Sequence, residues 1–253
     1  MLIVEGVSKE FDGLLALNHV TFCVQKGQVK ALIGPNGSGK TTLFNVISGF
    51  FRPNGGKIFF KDIKISRLKP YNICRLGLGR TFQIPRLFGQ MTTLENVKVG
   101  CHSWTQSEIF SCGLRTPFYR REAKEIQRRS WEILRILGLE EKWDTLAENL
   151  PIGEQKILEI GRALAISPSL ILLDEPAGGL NNLETGKLAQ TILALRNDLN
   201  ITILLVEHDM NLVMEIADEI VVLNHGDKIA EGNPREIQDN EEVIMAYLGR
   251  GFS

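Results

Sequence analysis

The sequence predicts an α/β protein with a parallel core sheet, an N-terminal antiparallel β subdomain and a helical lobe. Two observations predict this fold: apolar runs that flank helical patterns, and alternating strands near the start of the chain. The 253 residues are 43% hydrophobic and 23% charged, which suits one folded domain with a substantial core and excludes a disordered chain. We expect a single domain in which residues 1–84 and 166–253 form the core and 85–165 form the helical lobe.

The N-terminal part of the chain alternates apolar and polar residues, as strands of a half-exposed sheet do. The predicted strands cover residues 2–4, 20–24 and 57–60, and the last of them follows a turn at 53–56. Together they predict a small antiparallel sheet.

A glycine-rich loop lies between a predicted strand and a predicted helix. The apolar run at 29–33 leads into this loop. The residues that recur at helical spacing after the loop are Leu43, Val46, Ile47 and Phe50. The pattern is that of a strand, a loop and a helix that reaches Phe50.

Helical periodicity dominates from about residue 85 to 165. One face of a segment there collects Ile126, Ile133, Leu134 and Leu137, and its other face is rich in arginine. Nearby Glu122, Glu125 and Glu132 interrupt the basic charge, so a solvated amphipathic face explains it better than nucleic-acid binding. The net charge of −1 also argues against nucleic acid as the partner.

The C-terminal third predicts the parallel part of the sheet. Apolar runs at 170–173 and 201–206 flank a helix that carries Leu188, Ile192 and Leu195, as buried strands of a βαβ unit do. A hairpin around residues 224–227 and a short helix near 243–248 end the chain. No apolar run approaches the roughly 18 residues of a membrane span, so we expect any spans to come from another chain.

The glycine-rich loop matches the phosphate-binding pattern. It reads Gly34-Pro35-Asn36-Gly37-Ser38-Gly39-Lys40-Thr41. Glycines let the backbone N–H groups converge on phosphate oxygens at a helix N-terminus. Lys40 supplies a charge for the β- and γ-phosphates, and Thr41 offers a hydroxyl to Mg²⁺. The loop therefore predicts a nucleoside triphosphate ligand.

Polar residues follow two of the predicted core strands. Asp174 and Glu175 close the run at 170–173, where Asp174 can hold Mg²⁺ through water and Glu175 can act as general base. His208 ends the next apolar run and should face the same edge of the sheet, where it can contact the γ-phosphate or orient water. We expect these three side chains beside the phosphate loop.

In their order along nearly the whole chain, these motifs resemble the ATP-binding-cassette (ABC) family. Residues 34–42 resemble its Walker A motif and 170–174 its Walker B motif. Glu175, Gln83 and His208 stand where the family has its catalytic glutamate, Q-loop and H-loop. Within the family, the segments 11–17, 80–88, 207–210 and 243–249 resemble the ATPase subunits of branched-chain amino-acid importers.

The resemblance implies a P-loop NTPase fold of the ABC-ATPase type, with ATP and Mg²⁺ as cofactors. It implies that Phe11 stacks on adenine and that Thr41, Gln83 and Asp174 surround the metal. The implied catalytic residues are Glu175, His208, Lys40 and Gln83. The implied nucleotide contacts are Phe11, Gly34, Asn36, Gly37, Ser38, Gly39, Lys40, Thr41 and Thr42, with Gly153 contacting the ATP of a partner subunit.

The resemblance also implies partners and a location. Two ATPase subunits, identical or different, would bind head to tail and drive transmembrane permease subunits, with an extracytoplasmic substrate-binding protein acting indirectly. The chain would lie peripherally on the cytoplasmic face of the membrane. Import of urea or amides, export of lipid, and a soluble role such as that of the iron–sulfur assembly scaffold ATPase remain the alternatives.

Two positions depart from the family pattern. The signature Leu-Ser-Gly-Gly-Gln corresponds to residues 150–154, which read Leu-Pro-Ile-Gly-Glu, so the serine hydroxyl and one backbone N–H are absent. Gly153 and the N-terminus of the helix after it can still bind an anion. The second departure is Asn181, where the family usually has aspartate.

Overall fold

Two β-sheets organise the chain in a computed structural model that describes residues 1–101 and 117–248. Part of the predicted helical lobe and the last position of the segment 243–249 lie outside the described residues. The strands are β1 Leu2–Phe11, β2 Leu14–Val24, β3 Val29–Ile33, β4 Gly55–Phe60, β5 Ile63–Lys64, β6 Leu78–Arg80, β7 Leu170–Asp174, β8 Thr202–Val206, β9 Glu219–Asn224 and β10 Asp227–Gly232.

The first sheet is antiparallel and has the order β2-β1-β4-β5. Leu2 pairs with Val24 on one side and with Phe60 on the other. This confirms the predicted antiparallel subdomain, although β1 and β2 are longer than predicted. Register shifts after Val4 and Val7 break the regular alternation along β1, which is why its second half was missed.

The second sheet has the order β10-β9-β3-β8-β7-β6 and forms the predicted parallel core. Its pairs β9–β3, β3–β8, β8–β7 and β7–β6 are parallel, and β10 joins β9 as an antiparallel hairpin. Every residue of β3, β7 and β8 is buried, as expected for strands covered on both faces. Their carboxyl ends meet at one edge of the sheet, and this edge carries the site.

Nine α-helices and two short 3-10 helices, Glu140–Lys142 and Ala147–Asn149, accompany the sheets in the described part of the chain. The α-helices are α1 Lys40–Ile47, α2 Pro70–Arg75, α3 Thr93–Cys101, α4 Pro117–Ile136, α5 Ile152–Leu164, α6 Asn182–Asn197, α7 Met210–Ile216, α8 Pro234–Gln238 and α9 Glu241–Leu248. Helices α3, α4 and α5 pack on one another within the segment predicted to be the lobe. The boundaries of the lobe at 84/85 and 165/166 stay a prediction.

Helix α1 ends earlier than predicted. Its last residue is Ile47, and Gly49 follows in the left-handed region with φ 78°. A Cβ on Gly49 would lie 2.8 Å from the Leu68 carbonyl oxygen, so only glycine fits this turn. The prediction that the helix reaches Phe50 is therefore wrong: Phe50 lies beyond the turn, is 51% exposed, and has its ring 5.4 Å from the Arg80 guanidinium.

Ion pairs occupy the charged face of α4. Arg128 donates hydrogen bonds to Glu125 and Glu132, and Arg129 donates to Glu125. These hydrogen bonds lower the pKa of Glu125 to about 2.

Across residues 1–101 and 117–248, no helix is both long enough and apolar enough to cross a bilayer.

A buried lysine lies in the middle of the core sheet. Lys30 of β3 is fully buried, and its Nζ lies 2.9 Å from Glu219 Oε2 and 2.6 Å from Glu231 Oε1. Lys228 Nζ also contacts Glu231 at 2.7 Å. A buried ammonium group needs carboxylates nearby because burial removes the water that would otherwise hydrate its charge.

We expect this cluster to make stability fall in acid. Burial alone raises the pKa of Glu231, but the hydrogen bonds from Lys228 and Lys30 outweigh it and bring the pKa below the ordinary 4.5. A lowered folded pKa contributes stability that is present above pH 4.5 and is lost as the pH falls through the folded value. Chemical denaturation from pH 6 to about pH 3 should show a smaller loss of unfolding free energy in Glu231→Gln than in the wild type. Equal losses would contradict the assignment.

Candidate functional site

The phosphate loop connects the end of β3 to the start of α1. Gly34, Gly37 and Gly39 all have positive φ, at 147°, 81° and 103°. A Cβ on Gly34 would lie 2.0 Å from the Leu223 carbonyl oxygen, so this turn requires glycine. The loop therefore presents its backbone N–H groups and the N-terminus of α1 towards one space.

Polar groups of the loop fit an anion. The Lys40 ammonium donates to the carbonyl oxygens of Gly34 and Pro35 at 2.7 and 3.0 Å, which holds its charge inside the loop. Ser38 Oγ is buried and has no hydrogen-bond partner among the described residues. The N–H of Gly226, in the β9–β10 turn, donates to the Ser38 carbonyl oxygen at 3.1 Å and fixes the loop from outside. A buried hydroxyl without a partner is costly unless a ligand accepts its hydrogen bond.

An open cavity of about 420 Å³ lies over the loop. Its lining includes Asn36, Gly37, Ser38, Gly39, Lys40, Thr41, Thr42 and Glu175. The structure thus brings the loop residues and the second carboxylate together around one space. A nucleotide-sized ligand fits a cavity of this volume.

Asp174 is held at the end of β7 by an arginine. Arg80 Nη2 lies 3.0 Å from Asp174 Oδ2, and Arg80 Nη1 donates to Asn45 and Ser48. Burial raises the pKa of the Asp174 carboxyl, and the Arg80 charge opposes this rise. Arg80 thereby connects the carboxylate to α1 and the turn after it.

Gln83 and His208 converge on the Glu175 carboxylate from two other segments. Gln83 Nε2 donates to Glu175 Oε2 at 2.6 Å, and His208 Nδ1 lies 3.9 Å from the same oxygen. Glu175 has φ 46°, a left-handed conformation that is unfavourable for a residue with a Cβ. Its N–H donates to the Val206 carbonyl oxygen at 2.9 Å.

Glu207 organises the backbone around these residues. It is fully buried, and its carboxylate accepts from the N–H groups of Ala177, His208 and Asp209 at 2.6, 2.9 and 3.2 Å. The ends of β7 and β8 are therefore fixed relative to each other. Three charge-assisted hydrogen bonds of this kind make a rigid support for a site.

Gly153 lies apart from the cavity, in the first turn of α5. A Cβ on Gly153 would lie 2.9 Å from Glu184 Oε1, so the two helices α5 and α6 meet there. Asn181 caps α6: its side chain accepts from the Glu184 N–H, and Glu184 accepts from the Asn181 N–H, both at 3.0 Å. In a single chain, Gly153 does not line the cavity over Lys40.

Comparison with known protein families decides the identity of the site. A family model described as ABC transporter matches residues 17–178, which include the phosphate loop, Gln83, Gly153 and both carboxylates. The chain belongs to the ABC transporter family. It is an ATP-binding and ATP-hydrolysing subunit of that family. A second model, described as branched-chain amino acid ATP-binding cassette transporter, matches residues 228–253.

Individual ABC proteins are similar over the whole chain. The high-affinity branched-chain amino acid transport ATP-binding protein LivG of Escherichia coli is 45% identical over 98% of each chain. A solved ATP-binding cassette in its ADP conformation, MJ1267, is 33% identical with a TM-score of 0.86 over 98% of each chain. A cassette dimer bound to ADP and phosphate, MJ0796, is 26% identical with a TM-score of 0.77 over 93% of this chain and 99% of that one.

Besides Gly153, two predicted nucleotide contacts of this ABC subunit, Phe11 and Gly34, are not among the described residues that line the cavity. The Phe11 ring lies 5.2 Å from the Phe51 ring and under the Lys9 ammonium, and Phe11 is not among the described residues that line the cavity. The segment Leu14, Leu15 and Ala16 lines it instead. The adenine-stacking role of Phe11 stays a prediction.

Sequence reasoning missed several residues around the site of this ABC subunit. His225, in the β9–β10 turn, lines the cavity, and Lys156 Nζ donates to the Glu175 carbonyl oxygen at 3.1 Å. Arg80 and Glu207 were noticed only as parts of family-like segments. The sequence indicates Arg80 and Glu207 only by their positions, because each directly adjoins a predicted site strand or motif. No sequence pattern indicates Lys156, because it lies on a helix of the predicted lobe.

Replacing Lys40 should weaken ATP binding. We expect Lys40→Ala to raise the Kd for ATP by about 10- to 100-fold, since a hydrogen bond to a charged group contributes about 1.5–3 kcal/mol. Equilibrium binding of a fluorescent ATP analogue measures this, with Lys64→Ala on the exposed strand β5 as control. An unchanged Kd in folded Lys40→Ala would remove Lys40 from the phosphate site.

Proposed function

We propose that this ABC subunit hydrolyses ATP to power the uptake of branched-chain or related amino acids. The observation that carries this proposal is the C-terminal match at 228–253 to a family model described by that cargo. Similarity to LivG over 98% of the chain supports it. We place the subunit peripherally on the cytoplasmic face of the membrane, next to permease subunits that supply the membrane spans.

The phosphate loop would bind the triphosphate. Backbone N–H groups of residues 36–39 and the N-terminus of α1 would attract phosphate oxygens, and Lys40 would turn its ammonium from the loop carbonyls to the β- and γ-phosphates. Ser38 and Thr42 add hydroxyl donors from the same loop and helix. These contacts would hold the γ-phosphate at the edge of the sheet that carries Glu175.

The oxygen donors near the cavity fit Mg²⁺. Thr41 offers a hydroxyl, Gln83 an amide oxygen and Asp174 a carboxylate, and hard oxygen donors are what Mg²⁺ prefers. The Gln83 amide nitrogen already contacts Glu175, which leaves its amide oxygen for the metal. The ion would neutralise charge that develops on the phosphate oxygens.

Glu175 would act as the general base. Its carboxylate accepts the proton of the attacking water while the oxygen of that water forms a bond to the γ-phosphorus and the bond to the β-phosphate oxygen breaks. His208, whose Nδ1 lies 3.9 Å from Glu175 Oε2, would orient the water or contact the γ-phosphate. Gln83 donates a hydrogen bond to the same carboxylate oxygen.

A second ATPase subunit, identical or different, would complete the site. Gly153 and the N-terminus of α5 would contact the ATP bound to the partner. The permease would couple to the segment around Gln83, and an extracytoplasmic binding protein would deliver the cargo. This assembly follows the head-to-tail arrangement that the family resemblance implies.

Reconstitution tests the cargo. The chain is co-expressed with candidate permease subunits and a candidate second ATPase subunit, placed in proteoliposomes with a candidate binding protein, and assayed for uptake of labelled leucine, urea and acetamide. We expect ATP-dependent uptake of leucine, absent in Glu175→Gln. Uptake of urea or amide alone, outward movement of lipid, or full ATPase activity with a soluble partner and no permease would each overturn the proposal.

A further inference from the structure

A lysine of the α5 helix contacts the backbone of the proposed general base. Lys156 is 6% exposed, and its Nζ donates to the Glu175 carbonyl oxygen at 3.1 Å. The same carbonyl oxygen accepts from the Gly178 N–H at 3.2 Å. The peptide group that follows Glu175 is thus held from two directions.

Glu175 needs this support because its backbone is strained. At φ 46° it is in the left-handed region, which costs a residue with a Cβ about 1 kcal/mol or more and persists only where the surroundings enforce it. Its N–H is fixed on the Val206 carbonyl oxygen, on the other side of the residue. At the Glu175 carbonyl oxygen, Lys156 supplies the only side-chain hydrogen bond among the contacts described for residues 1–101 and 117–248.

The Lys156 amine is buried and lies within the electrostatic influence of three acidic side chains. Burial lowers the pKa of the Lys156 ammonium, and the charges of Glu207, Glu159 and Glu175 oppose this. Glu207 in turn fixes the N–H groups of Ala177 and His208. Lys156 and Glu207 therefore both hold the turn that follows β7, Lys156 at the Glu175 carbonyl oxygen and Glu207 at the Ala177 N–H.

The same helix also contacts the segment that carries Gln83. Glu159, one turn after Lys156, accepts from the Arg86 N–H at 3.1 Å, and Arg162 donates to the Arg86 carbonyl oxygen. Since Gln83 itself donates to the Glu175 carboxylate, α5 reaches both the backbone and the side-chain partner of the base. A shift of α5 would move both.

We propose that Lys156 is a positioning residue for hydrolysis: through the Glu175 carbonyl oxygen it holds the general base in the conformation that accepts the proton of the attacking water. The proposal rests on the role of Glu175 proposed above. It predicts an effect on the chemical step and none on ATP affinity, because Lys156 does not line the phosphate cavity.

Steady-state ATPase assays on the assembled transporter test this. Lys156→Met keeps the length and most of the volume of the side chain but removes the donor. We expect kcat to fall by about 10- to 100-fold, the effect of displacing a catalytic group by roughly 1 Å, with KM and the Kd for ATP unchanged. Lys156→Arg keeps a charged donor and should recover at least a third of the wild-type kcat.

Two further variants separate the possible failures. Lys98→Met makes the same substitution on α3 and should leave kcat unchanged. Glu175→Gln reports on the base itself: if it leaves kcat unchanged, the proposed role of Glu175 fails. The positioning role of Lys156 is overturned if Glu175→Gln abolishes hydrolysis while Lys156→Met retains the wild-type kcat. It is also overturned if Lys156→Met raises KM but lowers kcat no more than Lys98→Met does.

Discussion

Glu175→Gln should hydrolyse ATP about 10²- to 10⁴-fold more slowly than the wild type, the range that a general base contributes. Glutamine has the same shape but cannot take up the proton of the attacking water. ATP binding should persist, because the phosphate loop and Lys40 are unchanged. Phosphate release under single-turnover conditions measures the loss directly.

The same variant should reveal the dimer. With Mg²⁺ and ATP, Glu175→Gln should elute as a dimer that retains one ATP per chain, since hydrolysis no longer opens it. Lys40→Ala is the matched control and should stay monomeric without nucleotide. A Glu175→Gln chain that binds ATP yet stays monomeric would show that the partner is a different subunit, and wild-type hydrolysis in this variant would mean that another group accepts the proton.

Replacing both carboxylates that contact Lys30 should destabilise the fold strongly. Glu219→Gln combined with Glu231→Gln leaves a fully buried ammonium without a counter-charge. Breaking a buried ion pair in this way costs about 3–5 kcal/mol of unfolding free energy. Urea denaturation monitored by circular dichroism provides the measurement.

A third substitution distinguishes the ion cluster from simple loss of packing. Adding Lys30→Met to the double variant removes the unpaired charge and should recover most of the lost free energy, because an apolar replacement of a buried ionic group is often neutral. Lys30→Met alone should cost less than the double variant, since Glu219 and Glu231 are partly exposed and can turn to water. A triple variant as unstable as the double one would show that the charges are not the cause.

Local patterns were sufficient for much of the fold and part of the site. The phosphate loop is contiguous, so its glycines, Lys40 and the flanking strand and helix are visible in one stretch of sequence. Buried parallel strands give continuous apolar runs, and polar residues that end such runs fall at one edge of the sheet. This placed Asp174, Glu175 and His208 near one another without any distance information.

What the sequence did not predict depends on contacts between distant segments. Arg80 meets Asp174 and Lys156 meets Glu175 only after the chain has folded. The end of α1 was misplaced because helical spacing continues to Phe50, whereas Gly49 and its close approach to Leu68 stop the helix. Bulges had the same effect on β1, where they interrupt the alternation that identifies a strand.

The bond between Gly226 and Ser38 limits how this ABC subunit can be recombined with its relatives. The β9–β10 turn also accepts from the Asn18 N–H through the Gly226 carbonyl oxygen and from the Asn18 side chain through Asp227. The turn is therefore joined to the phosphate loop and to β2 at once. A chimera that takes its C-terminal segment from a relative should retain the β9–β10 turn of this chain, with the junction after Asp227. The exchanged segment then leaves the contacts between this turn and the phosphate loop unchanged.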